Sequence, residues 1–282
     1  LRSGKASYAI IIPENFEEDF VRGASPQILV SVDASDPVST AGAGAIAEIA
    51  RRAFAPEIER LPQARAVVAP YEIVVHRLYN PAGDTAFNIV PGLLGVILTM
   101  TMVMVTSIAL TRERERGTIE MLLATPIRPL ELMIGKTTPY VFVGAIQTAI
   151  VVVAARLIFD IPFAGDAGAL ILASGVFILA NLMLGYLIST VARTQMQAMQ
   201  MTFFIFLPSI LLSGFMFPFA AMPGWARAIG EALPITHFLR IVREIMLKGA
   251  GLADIQGDLY PLLGILVALG VAALLRFRST LD

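Results

Sequence analysis

The chain has 282 residues, of which 56% are hydrophobic and only 15% are charged, and its mean hydropathy is +0.74. This balance is far more apolar than that of ordinary soluble domains and predicts a membrane protein. The formal net charge of −1 gives no indication of nucleic-acid binding, and the lack of cysteine excludes disulfides and thiolate metal sites.

Residues 1–87 contain no apolar segment of membrane length and predict a separate unit of mixed α/β character. Three apolar runs are typical of β-strands: Tyr8 to Ile12, Gln27 to Asp33 and Val67 to Leu78. Between them, residues 14–21 favour a short helix and residues 39–61 a longer one. Strands alternating with helices indicate an α/β fold.

Five uncharged windows follow, each long enough to cross a hydrocarbon core of ~30 Å as a helix. Lipid offers no hydrogen-bond partners to the backbone, so helices are favoured over open strands. The spans are predicted at about 88–111, 137–157, 168–191, 198–219 and 258–277, which makes 88–282 one transmembrane domain. Because this number is odd and no signal peptide precedes residues 1–87, we expect a fragment of a longer protein with a further span upstream.

Lys and Arg residues near the span ends predict the orientation of the chain. The loop after the first span, the turn at Arg193 and the tail with Arg276 and Arg278 are short and dense in positive charge. Four basic residues between 220 and 258 weaken this bias without reversing it. The pattern places residues 112–136 in the cytoplasm, and residues 1–87 and 220–250 outside it.

The cytoplasmic segment 112–136 is the most strongly patterned polar stretch. It begins with charges of alternating sign: Arg112, Glu113, Arg114, Glu115 and Arg116. After Gly117, Thr118 can cap a helix whose apolar stripe consists of Ile119, Leu122 and Leu123. Pro126 ends this helix, and Pro129 suits the start of another at the membrane surface, with Leu130, Met133 and Ile134 on its buried face. Composition alone favours a solvated charge run beside an interfacial helix.

Three blocks of sequence resemble the ABC-2 family, the permeases of type 2 ATP-binding cassette exporters. In segment 112–136 the matching positions are Gly117, Thr118, Glu120, Thr125, Pro126, Gly135 and Lys136. Residues 217–249 resemble the external helical hairpin before the last span, through Pro218, Pro223, Trp225, Pro234, His237 and Arg243. The runs SGKASYAIIIPENFEEDF and VDASDP are similar to the external domain of the drug-export branch.

The resemblance implies a membrane α-helical bundle, with five spans present of an expected six and an N-terminal α/β extracytoplasmic domain. It implies a multi-pass permease subunit of the bacterial inner membrane that exports a drug-like, lipid or glycan substrate and works as a homodimer or heterodimer. It also implies that one segment docks on a separate ABC ATPase subunit. The residues of this coupling segment would be Arg112, Glu113, Arg114, Glu115, Arg116, Gly117, Thr118, Ile119, Glu120, Leu122, Leu123, Thr125 and Pro126.

The chain contains no Gly-x4-Gly-Lys-Ser/Thr phosphate loop, so we expect ATP to bind the partner subunit and no cofactor or enzymatic activity in this chain. Its two histidines, His76 and His237, lie on different segments and do not predict a metal site. Neither a Gly-x-Ser-x-Gly elbow nor a His-Glu-x-x-His motif supports a membrane hydrolase. A membrane-anchored receptor or ligand-binding protein without transport activity is the alternative, but it predicts one or two spans rather than five.

Amide side chains within or beside the spans allow two interpretations. Five amides, Gln147, Asn181, Gln195, Gln197 and Gln200, could line a substrate path or form hydrogen bonds between helices. Hydrogen bonding between helices is favoured, because polar groups in lipid face protein or water.

Overall fold

The computed structural model describes residues 8–22, 24–35, 71–117 and 129–278, together with scattered positions between 42 and 52. The chain divides into two compact units, Leu1–Asn88 and Ile89–Asp282. The helix expected at 39–61 and the start of the strand expected at 67–78 lie largely outside the described residues.

The first unit contains a small three-stranded sheet in the order β1-β2-β3. Its elements in the described residues are β1 (Tyr8–Ile11), α1 (Phe16–Val21), β2 (Gln27–Asp33) and β3 (Glu72–Leu78). β1 runs antiparallel to β2, with Tyr8 opposite Val32, and β3 runs parallel to β2. Val30 and Val32 are fully buried on one face of the central strand, as the two-residue period of a half-buried strand requires.

The second unit is helical, and five of its helices are long and apolar enough to cross a membrane. They are α2 (Thr85–Glu115), α3 (Pro129–Phe159), α4 (Ala167–Val191), α5 (Gln195–Leu212) and α8 (Gln256–Arg278). The prediction of a membrane helical bundle is therefore confirmed.

Two boundaries differ from the predictions. Residues 129–136 do not form a separate surface helix, because they are the first turns of α3, which continues unbroken to Phe159. Met133 is buried as expected, but Ile134 is 58% exposed. The fourth span begins earlier than 198, because Thr194 caps α5 through a hydrogen bond from the Gln197 amide. It also ends earlier than 219, since the chain turns at Gly214, where φ is +86° and favours glycine.

Helix α4 lies at the centre of the bundle. Its most apolar window is 56% buried, compared with 17% for the corresponding windows of α3 and α8. A Cβ atom at Gly185 would lie 2.8 Å from Thr106 Cβ of α2, so this small residue permits the close approach of α2 and α4. The exposed apolar faces of α3 and α8 are suited to lipid or to another membrane helix.

Two further helices, α6 (Gly224–Glu231) and α7 (Pro234–Lys248), form a hairpin between α5 and α8. Pro234 occupies the first turn of α7, where its missing N–H costs no hydrogen bond. Gly249 ends the helix with a φ of +67°. The apolar face of α7 is buried, and Phe238 stacks on Phe177 of α4 with ring centroids 4.0 Å apart.

Candidate functional site

The first candidate site is the end of the bundle where α2 and α4 finish and α3 and α5 begin, which we call the charged end. The charges of the predicted coupling segment lie on the last turn of α2 and just after it. Successive residues on a helix point ~100° apart, so neighbouring side chains can reach different neighbouring helices. Each of three consecutive residues reaches a different helix: Glu113, Arg114 and Glu115.

Glu113 forms an ion pair with Lys136 in the early turns of α3. Both side chains are partly exposed, at 35% for Glu113 and 22% for Lys136. This pair joins the two helices on either side of segment 118–128, whose structure lies outside the described residues.

Arg114 binds the end of α4. Its Nη1 atom donates to the backbone oxygens of Ser189, at 3.4 Å, and Thr190, at 3.1 Å. The last carbonyls of a helix have no partner within the helix and carry its negative dipole end. The Arg114 guanidinium donates hydrogen bonds to these carbonyls and places a positive charge at the negative end of the dipole.

Glu115 binds the start of α5. Its carboxylate accepts hydrogen bonds from the Gln195 backbone N–H, at 2.9 Å, and from Gln195 Nε2, at 2.6 Å. The first N–H groups of a helix also lack helical partners, and an anion there complements the positive dipole end. Three consecutive side chains of α2 therefore connect it to α3, α4 and α5.

The remaining predicted coupling residues fall into two groups. Arg112, Arg116 and Gly117 are exposed, and Gly117 has a φ of +70° that turns the chain away from the end of α2. The others lie outside the described residues: Thr118, Ile119, Glu120, Leu122, Leu123, Thr125 and Pro126. The solvated charge run that composition favoured is incomplete for Glu113, Arg114 and Glu115: Arg114 and Glu115 are exposed, but all three side chains also bond to neighbouring helices.

The second candidate site is the predicted external hairpin. His237 is buried on α7, with Nδ1 2.8 Å from Asp258 Oδ1 of α8 and Nε2 2.9 Å from the Glu231 backbone oxygen of α6. Arg240 reaches both acidic residues, at 2.7 Å from Glu231 Oε1 and 3.2 Å from Asp258 Oδ1. Its guanidinium also lies 4.6 Å from the centre of the Phe219 ring.

Most of the other hairpin residues named by the sequence lie at the ends or on the surface of this hairpin, whereas Arg243 is partly buried. Pro218 and Pro223 precede the 3₁₀ turn Phe219–Ala221 and α6, and Trp225 is 67% exposed on α6. Arg243 lies one turn beyond Arg240 on α7, with Nη2 3.5 Å from the Gly214 backbone oxygen. Only His237 belongs to the buried polar cluster.

The family of the chain is decided by a comparison that covers almost its whole length. The family model of the ABC-2 family transporter proteins matches residues 1–275. The chain belongs to this family. The resemblance inferred from segment 112–136 and the hairpin is thereby confirmed.

Three relatives from Escherichia coli K12 illustrate the likeness. The probable multidrug ABC transporter permease YbhR is 37% identical over 207 residues, which are 73% of this chain and 56% of the relative. The probable multidrug ABC transporter permease YbhS is 31% identical over 252 residues, 88% of this chain and 66% of the relative. The inner membrane transport permease YhhJ is 30% identical along 100% of this chain, which corresponds to 75% of the relative. The chain thus spans little more than half of YbhR and about two thirds of YbhS.

The amides of this ABC-2 chain separate into two kinds. Gln147 of α3 and Gln195 of α5 bond to other helices, with Gln147 Oε1 2.9 Å from Thr101 Oγ1 of α2. Hydrogen bonding between helices is confirmed for these two. It is wrong for Asn181, whose Nδ2 donates to the Phe177 backbone oxygen of its own helix at 2.9 Å.

The sequence indicated His237 as a residue of the hairpin but did not indicate the side chains that contact it. Glu231, Arg240 and Asp258 were not singled out, although His237 and Arg240 are three residues apart and share a helix face. Asp258 opens the last apolar window, where an uncompensated carboxylate is costly, and this signal could have indicated a basic partner.

Proposed function

We propose that this chain is the permease subunit of an ATP-driven ABC exporter and that a separate ATPase subunit supplies the energy. The observation that carries the proposal is the charged end, where three consecutive side chains tie α2 to α3, α4 and α5. Family membership favours transport over a receptor, and the likeness to permeases named multidrug or transport supports the same choice.

Coupling in this proposal begins in segment 118–126, directly after the charged end. Ile119, Leu122 and Leu123 would fill a groove of the ATPase, in the way that an amphipathic helix binds a partner. Exposed Arg112 and Arg116 lie at the rim of that contact, where charges set orientation and specificity. Their sign predicts an acidic patch on the ATPase.

The charged end then transmits motion from α2 to α3, α4 and α5. A force on segment 118–126 reaches α2 through Gly117, and α2 cannot tilt alone without breaking the bonds of Glu113, Arg114 and Glu115. The four connected helices would therefore move together, which converts closure of an ATPase into rearrangement of the bundle.

Residues 1–87 would form an extracytoplasmic α/β domain, with the bundle in the bacterial inner membrane beside a second permease subunit. ATP would bind the ATPase subunit, and the substrate would be a drug-like, lipid or glycan molecule.

The coupling role is tested by reversing the exposed charges. We expect the double variant Arg112→Glu and Arg116→Glu, in the full-length protein, to lose copurification with its coexpressed ATPase and to lose export, while its thermal unfolding stays unchanged. Arg193→Glu is the matched control, because Arg193 is also exposed and sits in the turn between α4 and α5 at the charged end. The proposal fails if the double variant assembles and exports normally, or if Arg193→Glu is equally damaging.

A further inference from the structure

The buried polar cluster between the hairpin and the last span contains a histidine whose two ring nitrogens both face acceptors. His237 Nδ1 lies 2.8 Å from the Asp258 carboxylate, and Nε2 lies 2.9 Å from the Glu231 backbone oxygen. Neither acceptor can donate a proton: one is a carboxylate and the other a carbonyl. Both bonds form together only when both nitrogens carry hydrogen, so the geometry fits the imidazolium ion.

A neutral ring would break this arrangement. Whichever nitrogen lost its proton would direct a lone pair at an oxygen, and the ring has too little solvent around it to recruit water, since its side chain is only 4% exposed. Deprotonation therefore removes one of the two bonds that join α7 to α6 and α8.

The charges around His237 add to this dependence. Glu231 faces it from α6, Asp258 from α8 and Arg240 from its own helix. Among the other contacts of α7, α4 presents Phe177 to Phe238, a Cβ at Gly95 of α2 would meet Leu239 and Phe238, and the Gly214 backbone oxygen lies 3.5 Å from Arg243 Nη2. With an imidazolium the cluster holds two positive and two negative groups, and with a neutral ring it keeps an unbalanced negative charge.

We propose that His237 is a pH-sensitive latch that holds the α6–α7 hairpin against the first turn of α8. When the His237 ring is charged, it bonds to both α6 and α8. When the ring is neutral, one of these bonds is lost and the hairpin loosens from the last span. The latch depends only on these contacts, whereas its exposure to the external medium rests on the orientation in the proposed function.

The direction of the pH dependence follows from the surroundings. Burial lowers the pKa of His237, but the bonds to Asp258 and Glu231 and the charges of both residues outweigh it and raise the pKa above its usual value. That value is ~6.5 for an unperturbed histidine. A raised pKa means that the latch contributes fully below pH ~6.5 and that its contribution is lost as the pH rises through the higher value of the folded state.

The chain is well suited to a distance measurement because it has no cysteine. Spin labels at Ile229→Cys on α6 and Tyr260→Cys on α8 would report the hairpin contact, since both side chains are largely exposed, at 48% and 64%. In the full chain reconstituted in nanodiscs, we expect one narrow distance distribution at pH 5.5. It should broaden as the pH is raised, with a midpoint above ~6.5.

Three variants test whether the pH dependence comes from His237. The only histidines are His76 and His237. His76→Gln should leave the pH dependence of the labels unchanged, and His237→Gln should abolish it. Asp258→Asn should move the midpoint down by about 1 pH unit or more, because it removes the adjacent negative charge. A distance distribution that does not change between pH 5.5 and 9, or that changes equally in His237→Gln, would overturn the latch.

A second measurement avoids any change at His237. In the His76→Gln chain, ¹⁵N-labelled histidine gives signals from one imidazole. We expect the imidazolium spectrum to persist above pH 6.5, and a neutral tautomer at pH 6 would overturn the proposal. Loss of ATPase binding by the charged end would not affect either measurement, so this proposal and the proposed function fail separately.

Discussion

The charged end and the hairpin cluster both connect helices through ionic groups, but they differ in burial. At the charged end Glu113 is 35% exposed, and Arg114 and Glu115 are also exposed. In the hairpin cluster the side chain of His237 is 4% exposed and that of Asp258 is 19% exposed, although Arg240 and Glu231 at the edge of the cluster are 33% and 46% exposed. Exposed ion pairs contribute little to stability, whereas breaking a buried one is costly.

This difference suits two different tasks. Several weak, solvent-accessible bonds that act together can couple the motion of α2, α3, α4 and α5 while each contributes little to the stability of the bundle. A buried cluster with balanced charge holds one arrangement firmly until its protonation changes. The bundle thus combines an end that couples helix motion with an end whose stability depends on pH.

Removing the carboxylate from the buried cluster should give the largest effect. Asp258→Asn keeps the shape but leaves His237 and Arg240 without their shared anion, and we expect a loss of about 2 kcal/mol, the scale of hydrogen bonds to charged groups. Thermal unfolding of the purified chain at pH 6 would measure it. Asp254→Asn is the control, because Asp254 is exposed and its carboxylate accepts a hydrogen bond from the Gly251 amide, at 3.0 Å, within a surface turn.

An equal loss in Asp258→Asn and Asp254→Asn would contradict the contrast between the two regions. It would mean that the hairpin cluster, despite its burial, contributes no more than a surface turn.

The elements of the bundle could be predicted because their causes are local. Spans of uncharged residues, Pro234 at a helix start and Gly249 at a helix end follow from composition and backbone geometry. The short α5 shows the limit, since a run without charges continues past Leu212 although the helix ends there. Hydropathy does not register the turn at Gly214.

The bonds of the sites could not be predicted in the same way. Arg114 binds the backbone oxygens of Ser189 and Thr190, and a carbonyl acceptor carries no sequence signature. The sequence indicates Glu115 and Gln195 separately, but no local pattern pairs residues from different helices. Their contact depends on where α4 ends and α5 begins, which is a property of the packed bundle.

The Glu113–Lys136 pair should give a smaller effect than the buried cluster. A double-mutant cycle with Glu113→Gln and Lys136→Met should yield a coupling free energy below about 1 kcal/mol in thermal unfolding, as for other partly exposed pairs. Export by the full-length protein should nevertheless fall in both single variants, because α2 and α3 would no longer move together. A coupling free energy as large as the loss of stability in Asp258→Asn would contradict the expectation that the charged end contributes less to stability than the hairpin cluster.

The smallest effect is expected at the start of α5. Glu115→Ala removes the acceptor of the Gln195 amide, but the capping bond from the Gln197 amide to Thr194 remains. The first turn should therefore fray without loss of the helix. Hydrogen exchange would show this as faster exchange of the Gln195 amide with little change beyond Gln197, while the unfolding temperature stays the same. Arg112→Ala, an exposed change one turn earlier on α2, should leave the exchange of Gln195 unaltered. If both variants accelerated exchange along the whole of α5, Glu115 would act through α2 as a whole and not as a cap for α5.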